Sequence, residues 1–426
     1  MLSIHRRNFH KAVLSGLAAP LACTSAIRGD DAPSKKINLG FIGMGMMGRG
    51  HLGSFMVQKD VQVVAISDVV KERREHGQKQ VEKHYGEKTK GEYKGCSVYN
   101  DFRDLLARKD IDAVVISTPD HWHAIPCILA AQAKKDIYCE KPLTHVIAHG
   151  RKLVDAVNKN QVIFQTGSQQ RSEFGHQFLK AAEYVRNGRI GKVKTIRIGV
   201  GNPAVACNLP DKETPAGTDW DLWLGPAPKR GYSEILCPKG IHGHFPAWRN
   251  YREYAGGGLA DMGAHHFDIA QWALDMDGSG PVVIEPPEKG DTGCKFTYAN
   301  GVVMYHGGPS GCTFEGTEGT IYVDRGRLES NPPKILEDKL DASAVRLYHA
   351  KDHRRNWIDC IRSRKPAICT AEVGHRTATV CNVGNIAYWL RRKLRWDPAT
   401  ERFVDDAEAN KWVDREVRDP WKAPLA

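Results

Sequence analysis

The chain is predicted to be a two-domain α/β protein. A doubly wound parallel sheet with helices on both faces comes first, and an α+β domain on a mostly antiparallel sheet follows. Three observations predict this. From about residue 35 to 165, short apolar runs alternate with helical stretches. A G-x-G-x-x-G turn, Gly43, Gly45 and Gly48, stands directly after the first apolar run. Past about residue 174 the pattern changes to alternating strands with hairpin signals. At 426 residues the chain is too long for one compact core and suits about two domains.

In the first half, strands are expected at INLGFIG, VQVVAIS, DAVVIST and DIYCEKP, and VIFQTGSQQR reads as a further strand and turn. Such continuous apolar runs suit parallel strands covered on both faces. The glycines have separate tasks. Gly43 allows a tight turn, Gly45 lets backbone approach a pyrophosphate, and Gly48 lets the next helix pack on the sheet with its N–H groups aimed at phosphates. Met44 and Met47 belong to the same turn. Asp68 ends the second strand about 20 residues past the last glycine, where an acid binds the ribose 2′-hydroxyl. Its carboxylate repels a 2′-phosphate, so NAD is expected over NADP. Lys71, Arg73 and Arg74 nearby keep NADP open.

In the second half, HQFLKAAEYVRNGRIG reads as a helix ending in glycine and KVKTIRIGVG as an alternating strand. PVVIEP, GCKFTYANGVVMYHGG and GCTFEGTEGTIYVDRGRLE read as antiparallel strands, with hairpin turns at Asn300-Gly301 and Glu318-Gly319. NWIDCIRSRK and TATVCNVGNIAYWLRRK read as late helices. The expected divisions are a leader and linker at 1–34, a nucleotide-binding domain at 35–165, a substrate domain at 166–395, and a polar, surface-wrapping tail at 396–426.

The leader carries a twin arginine, Arg6-Arg7, then Phe9, Lys11 and an apolar run from Ala12 to Ala22 too short to span a bilayer. Thr24 and Ala26 offer a cleavage site. This pattern predicts export of the folded protein by the twin-arginine route, to the periplasm or beyond. Lipidation at Cys23 is disfavoured by Pro20. No other membrane segment is read. The formal charge is +11, but the basic residues are scattered, and no aromatic-interleaved basic module argues for nucleic acid. Eleven cysteines without C-x-x-C pairs are neither a disulfide framework nor a zinc spacing. Cys127, Cys139 and Cys381 read as small core residues.

Three further clusters carry chemistry. At the end of DAVVIST, Thr118 and Pro119 lead into Asp120, a helix cap, and into His121 and His123, which can hydrogen-bond ribose, nicotinamide or substrate. No acid or cysteine cluster near H-x-H supports a metal, so none is expected. Glu140-Lys141-Pro142 stands at another strand end. Proline restricts its predecessor to extended or turn geometry, and a positioned ammonium can stabilise charge on a substrate oxygen, with Glu140 orienting it. In GGGLADMGAHHFD, Asp261 and His265 stand four apart on one helix face, a pair suited to taking an alcohol proton. A surface ion pair and a buried, satisfied histidine are the plain alternatives.

GFIGMGMMGRGH, TPDHWH, EKP and GGGLADMGAHHFD, in this order and spacing, resemble the glucose–fructose oxidoreductase / inositol 2-dehydrogenase (Gfo/Idh/MocA) family over nearly everything after the leader. The resemblance implies a Rossmann domain followed by a domain whose large open sheet carries the substrate side and forms homo-oligomer contacts. It implies a dinucleotide at Gly43, Gly45, Gly48 and Asp68. Thr118, Pro119, His121, His123, Glu140 and Lys141 are assigned to the same cofactor site. It also implies Lys141, Asp261 and His265 as catalytic residues. GSQQR and HFPAWRNYREY resemble sugar-contacting stretches, which assigns Gln169, Arg171, Trp248, Arg249, Tyr251 and also His266 to substrate. Trp220 and Trp223 are expected to pack between domains.

The expected activity is hydride transfer between NAD and a sugar, sugar-derivative or cyclitol CH–OH group. His265 takes the proton, Lys141 binds the oxygen, and Asp261 fixes the imidazole or a neighbouring hydroxyl. Two alternatives stand beside it. One is a redox-neutral, NAD-dependent glycoside hydrolase or lyase holding its nucleotide tightly, as export would require. The other is a non-catalytic sugar- or nucleotide-binding protein on the same fold.

Overall fold

The structure is a computed structural model describing residues 36–425; the twin-arginine segment and Cys23 lie outside the described residues. Six strands form the first sheet: β1 (Ile37–Ile42), β2 (Val61–Ser67), β3 (Ser97–Tyr99), β4 (Ala113–Ile116), β5 (Asp136–Cys139) and β6 (Phe164–Thr166). All pairs are parallel, in the order β3-β2-β1-β4-β5-β6. This is the Rossmann order, and it reverses between β1 and β4, where a crevice opens at the strands' carboxyl ends. The apolar runs are buried as expected: Leu39, Phe41, Val63, Val115 and Ile137 have no exposed surface. The sequence reading missed β3, a three-residue edge strand with no fully buried side chain.

The second sheet has eight strands among the described residues: β7 (Val193–Gly199), β8 (Val283–Glu285), β9 (Lys295–Thr297), β10 (Val303–Gly316), β11 (Thr320–Val323), β12 (Leu328–Asn331), β13 (Leu394–Asp397) and β14 (Arg402–Phe403). Its pairs are antiparallel, in the order β12-β11-β10-β9-β8-β13-β14, with β7 joined to β10. The hairpin turn expected at Asn300-Gly301 joins β9 to β10, and Gly301 takes the positive φ, +83°, that this turn needs. Helices Gln177–Arg186, Gly263–Ala273 and Ala371–Leu390 supply Phe178, Phe267 and Val380 to the core beneath this sheet, against Ile196, Phe296 and Phe314.

The stretch after residue 396 is woven into the fold rather than laid over it. β13 and β14 straddle that position. Trp421 packs into the first domain's core, its ring centroid 4.7 Å from that of Trp122. The helix His353–Ser363 also returns to the first domain, where Trp357 meets Phe55 and Tyr138 edge-on. Cys127, Cys139 and Cys381 are fully buried, and the ten described cysteines are free thiols. No helix among the described residues is long and apolar enough to cross a membrane.

Candidate active site

The glycine turn is built from close approaches. Gly43 has φ +89°, and a Cβ there would come within 2.8 Å of the Ser117 backbone. A Cβ on Gly48 would lie 2.1 Å from the Gly43 carbonyl oxygen, so the helix Met46–Met56 docks only with glycine at that position. Gly45, at the helix N-terminus, would meet nothing within 4 Å. Asp68 is pinned beside it: Oδ2 accepts from the Met44 N–H at 2.7 Å and Oδ1 from the Val70 N–H at 2.8 Å. At the end of β4, Ser117 Oγ and Thr118 Oγ1 are buried without a partner. An open helix N-terminus, a fixed acid and two unused hydroxyls fit a dinucleotide.

This turn opens into a cavity of about 440 Å³ that runs between the domains. Gly43, Gly45, Met47, Asp68, Thr118 and Pro119 line one end; Glu140, Lys141, Gln169, Trp248, Arg249, Asp261 and His265 line the other. Met44 and Gly48 act through backbone and packing and do not line it. A segment of the second half, residues 236–246, crosses the Asp68 end. Arg73 donates to the Gly240 carbonyl at 3.0 Å and to that of Pro238, and Arg49 donates to the His242 carbonyl at 2.5 Å. Arg74 donates to the Asp68 carbonyl and to Asn100. Each of these three arginines is therefore engaged by protein acceptors.

At the other end, Lys141 Nζ donates to Asp261 Oδ1 at 2.5 Å and to the Asp261 carbonyl at 2.8 Å. Arg249 Nε stands 3.6 Å from Asp261 Oδ2 and is stacked on Trp248. Burial alone would raise the Asp261 pKa, but Lys141 and Arg249 outweigh it and hold the carboxyl below its ordinary value. The expected single helix is broken into Gly257–Asp261 and Gly263–Ala273 at Met262. Asp261 thus turns to the amine, not to the imidazole as expected. His265 is buried, and its Nδ1 has no partner. Burial first, then Lys141 and Arg325, drive its pKa well below the usual value, so the ring is neutral.

Glu140 does not orient Lys141 by a hydrogen bond. Its Oε1 accepts from His51 Nε2 at 2.7 Å and Gln169 Nε2 at 2.9 Å. Arg354 Nε donates to His51 Nδ1, which fixes the tautomer: the proton sits on Nε2 and points at Glu140. Burial opposes ionisation of Glu140, but the His51 hydrogen bond and nearby positive charge bring its pKa down to about 2.

Besides Met44 and Gly48, five expected site residues do not line the cavity. His121 Nε2 bonds the Trp223 carbonyl, and His123 bonds the carbonyls of Pro142 and Thr118. Both rings lock the loop after β4 instead of facing a ligand. Arg171 is buried in a triad with Asp268 and Asp277, over the Trp272 ring. His266 faces Phe178 on the packed side of its helix. Tyr251 packs on the cluster of Trp220, Trp223 and Tyr254. Trp220 and Trp223 stack at 4.7 Å and meet Val70 there, the packing role expected of them. Conversely, Asp120, Glu173, Phe174, Arg325 and Arg354 line the cavity without having been assigned to it. Asp120, expected as a helix cap, lines the cavity, where burial, then Asp261, raises its pKa to about 8.

A Rossmann sheet and an antiparallel sheet that enclose a nucleotide turn and a lysine–carboxylate–histidine group in one cavity define a dinucleotide-binding α/β protein with a candidate active site between its two sheets. Residues 37–168 match the oxidoreductase family's NAD-binding Rossmann fold, and residues 203–423 match its C-terminal alpha/beta domain. The chain belongs to the Gfo/Idh/MocA oxidoreductase family. It is similar to the myo-inositol 2-dehydrogenase of Thermotoga maritima, 34% identical over 170 residues, 39% of this chain and 46% of that protein. A glycosyl hydrolase family 109 protein of Shewanella baltica is 28% identical over 211 residues, 45% of each chain. The chain spans about half the length of the curated relatives it matches. Scyllo-inositol dehydrogenase from Lactobacillus casei shares the fold, with a TM-score of 0.58 at 16% identity over 85% of this chain and 98% of that one.

Proposed function

We propose that this chain is an NAD-dependent oxidoreductase that acts on a CH–OH group of a sugar, sugar derivative or cyclitol by hydride transfer. The observation that carries the reading is the shared cavity: the glycine turn and Lys141, Asp261 and His265 open into one space. A bound nicotinamide supplies the hydride acceptor. Lys141 donates to the substrate oxygen and stabilises its charge as the proton leaves. Asp261 holds that ammonium through two contacts. His265, neutral and buried, takes the hydroxyl proton. NAD is favoured over NADP because Asp68 is fixed at the ribose position and Arg49, Arg73 and Arg74 already have acceptors. The name of the Thermotoga relative supports a polyol substrate.

The test is to mix the protein with NAD and a panel of sugars and cyclitols and to follow nicotinamide absorbance together with products. Lys141→Ala should cut turnover by about 10²–10⁴-fold while nucleotide still binds; a fully active variant would refute the assignment. The redox-neutral hydrolase reading draws on the Shewanella relative and on the segment 236–246 lying across the nucleotide end. Glycoside cleavage without net NADH would favour it. Export by the twin-arginine route and association through the second sheet belong to the same proposal. Fractionation of the expressed full chain and its mass in solution test them.

A further inference from the structure

Five cationic side chains line the cavity, and four of them are spent. Lys141 and Arg249 share Asp261, Arg354 pairs with Glu173 at 3.0 Å, and Arg73 is held by backbone carbonyls. Arg325 is the exception: among the described residues its guanidinium has neither a hydrogen-bond nor an ion-pair partner. It stacks on the Phe174 ring, 4.8 Å from the ring centroid.

Two local structures place it. Arg325 sits in the turn between β11 and β12. That turn is tied by Asp324, whose Oδ1 accepts from the N–H groups of Gly326 and Arg327 at 2.7 Å and whose Oδ2 accepts from the Tyr322 hydroxyl. From the facing side, Phe174 is presented by a run of three left-handed residues: Phe174, Gly175 and His176 have φ of +57°, +63° and +59°. For the two non-glycine residues this costs on the order of 1 kcal/mol each, and such strain persists where the surroundings impose it. The strained turn carries one cation-stacking ring and one acid, Glu173, and that acid is already paired with Arg354. Arg325 is thus aimed by structure on both sides, yet among the described residues no carboxylate is in ion-pair contact with it; Asp261 and Glu173 act on it only from farther off. Its charge reaches Asp261 and His265, lowering both pKa values, so it stands at the reacting end of the cavity and not at the glycine turn. Of the other acids there, Glu140 is bonded to His51 and Gln169, and Asp120, with its pKa raised to about 8, is largely protonated at neutral pH.

Building on the oxidoreductase reading above, we propose that the substrate is a sugar acid whose carboxylate is bound by Arg325, on a carbon other than the one oxidised. A planar guanidinium matches a carboxylate in shape and in its single charge. A phosphate monoester, with about −1.5 to −2 charge at pH 7, would exceed the single charge of Arg325, the one cation lining the cavity that has no direct partner among the described residues. The missing direct partner also makes a neutral polyol the poorer fit: it would leave the guanidinium without a contacting anion.

The experiment uses NAD-saturated protein. D-glucuronate, D-galacturonate and D-gluconate are compared with D-glucose, myo-inositol and D-glucose 6-phosphate. Calorimetric binding and initial rates are both read. The best acid should bind about tenfold or more tightly than its neutral parent, as for a charge-assisted contact, and raised salt should shrink that ratio. Arg325→Ala should remove the preference, and Arg325→Lys should restore part of it. A neutral sugar or the phosphate binding as well as the acids, or a preference that survives in Arg325→Ala, overturns the proposal while leaving the oxidoreductase intact. If no compound of any class binds or turns over, the oxidoreductase reading itself falls, and this inference with it.

Discussion

Lys141 Nζ lies 2.5 Å from Asp261 Oδ1 and 2.8 Å from the Asp261 carbonyl oxygen, so one residue of the second half grips the first half's ammonium at two points. The contact crosses the cleft and therefore sets both the domain closure and the position of the amine. Lys141→Ala should lower kcat by about 10²–10⁴-fold, the usual scale for losing a positioned proton-handling or charge-stabilising group. Asp261→Asn keeps the carbonyl contact and removes the charge, so its loss should be smaller. Steady-state rates and a nucleotide titration on both variants check this; equal rates in wild type and Lys141→Ala would contradict it.

His265 should show itself in a pH–rate profile. Its pKa is driven well below the ordinary histidine value by burial, Lys141 and Arg325. A base with a lowered pKa stays unprotonated as pH falls, so the acid limb of kcat/KM should lie below about pH 6.5. A limb centred above neutrality would remove His265 from the role of base.

The glycine turn, the strands around it and the Lys141 and His265 positions were legible because each depends on near neighbours in sequence. Gly48 is forced by Gly43, five residues away, and the strands announce themselves as unbroken apolar runs. The histidines after β4 were misassigned for a related reason. H-x-H at a strand end is compatible with either ligand or backbone partners, and the deciding carbonyl for His121, that of Trp223, lies 102 residues on. Arg325 and Arg354 carried no local signal: an arginine in a hairpin turn or early in a helix is ordinary, and only the tertiary fold brings them to Asp261 and Glu140. The break at Met262 was hidden because DMGAHH keeps helical spacing through it.

Arg171, expected to contact substrate, should instead prove structural. It is 1% exposed and bridges Asp268 and Asp277 through four hydrogen bonds of 2.7–2.8 Å. Arg171→Met would strand the fully buried Asp268 carboxylate and should cost about 3–5 kcal/mol of stability. Urea unfolding measures it, and the surviving folded fraction should keep its substrate KM. Unchanged stability with a raised KM would restore the sugar-contact role.

The segment 236–246 should slow nucleotide release. Arg73 and Arg49 latch it over the Asp68 end through carbonyls of Pro238, Gly240 and His242. Arg73→Ala removes two charge-assisted hydrogen bonds and should speed NAD dissociation by about tenfold or more. It should not improve NADP binding, because a cation is lost and Asp68 remains. Displacement kinetics followed by fluorescence test this; an unchanged off-rate would show that the segment does not gate the site.

Buried histidines should make the fold acid-labile well before its carboxylates do. Burial is the leading cause that lowers the pKa of His121, His266 and His353 to about 4, and it drives His145 and His265 well below normal. In each case the unfolded chain binds the proton first. At these histidines, below about pH 6.5, the unfolded state therefore carries more protons than the folded one, and their contribution falls as pH falls, by up to roughly 1.4 kcal/mol per pH unit each. For the three with pKa about 4 the window runs from about pH 6.5 down to 4, with a combined slope of up to roughly 4 kcal/mol per unit. Asp120 acts the other way: its folded pKa, about 8, lies above the ordinary carboxylate value, so between about pH 8 and 4 it offsets up to roughly one histidine's share of that slope. Glu140 and Glu401, held at about 2, lose their contribution only in more acid solution, below the ordinary glutamate value, so the two groups separate on the pH axis. Urea midpoints should drop clearly between pH 7 and pH 5. His266→Phe, at a position bonded to no catalytic group, should flatten the slope by about one histidine's share. Equal midpoints at the two pH values would show that these rings titrate freely in the folded state and would contradict the prediction.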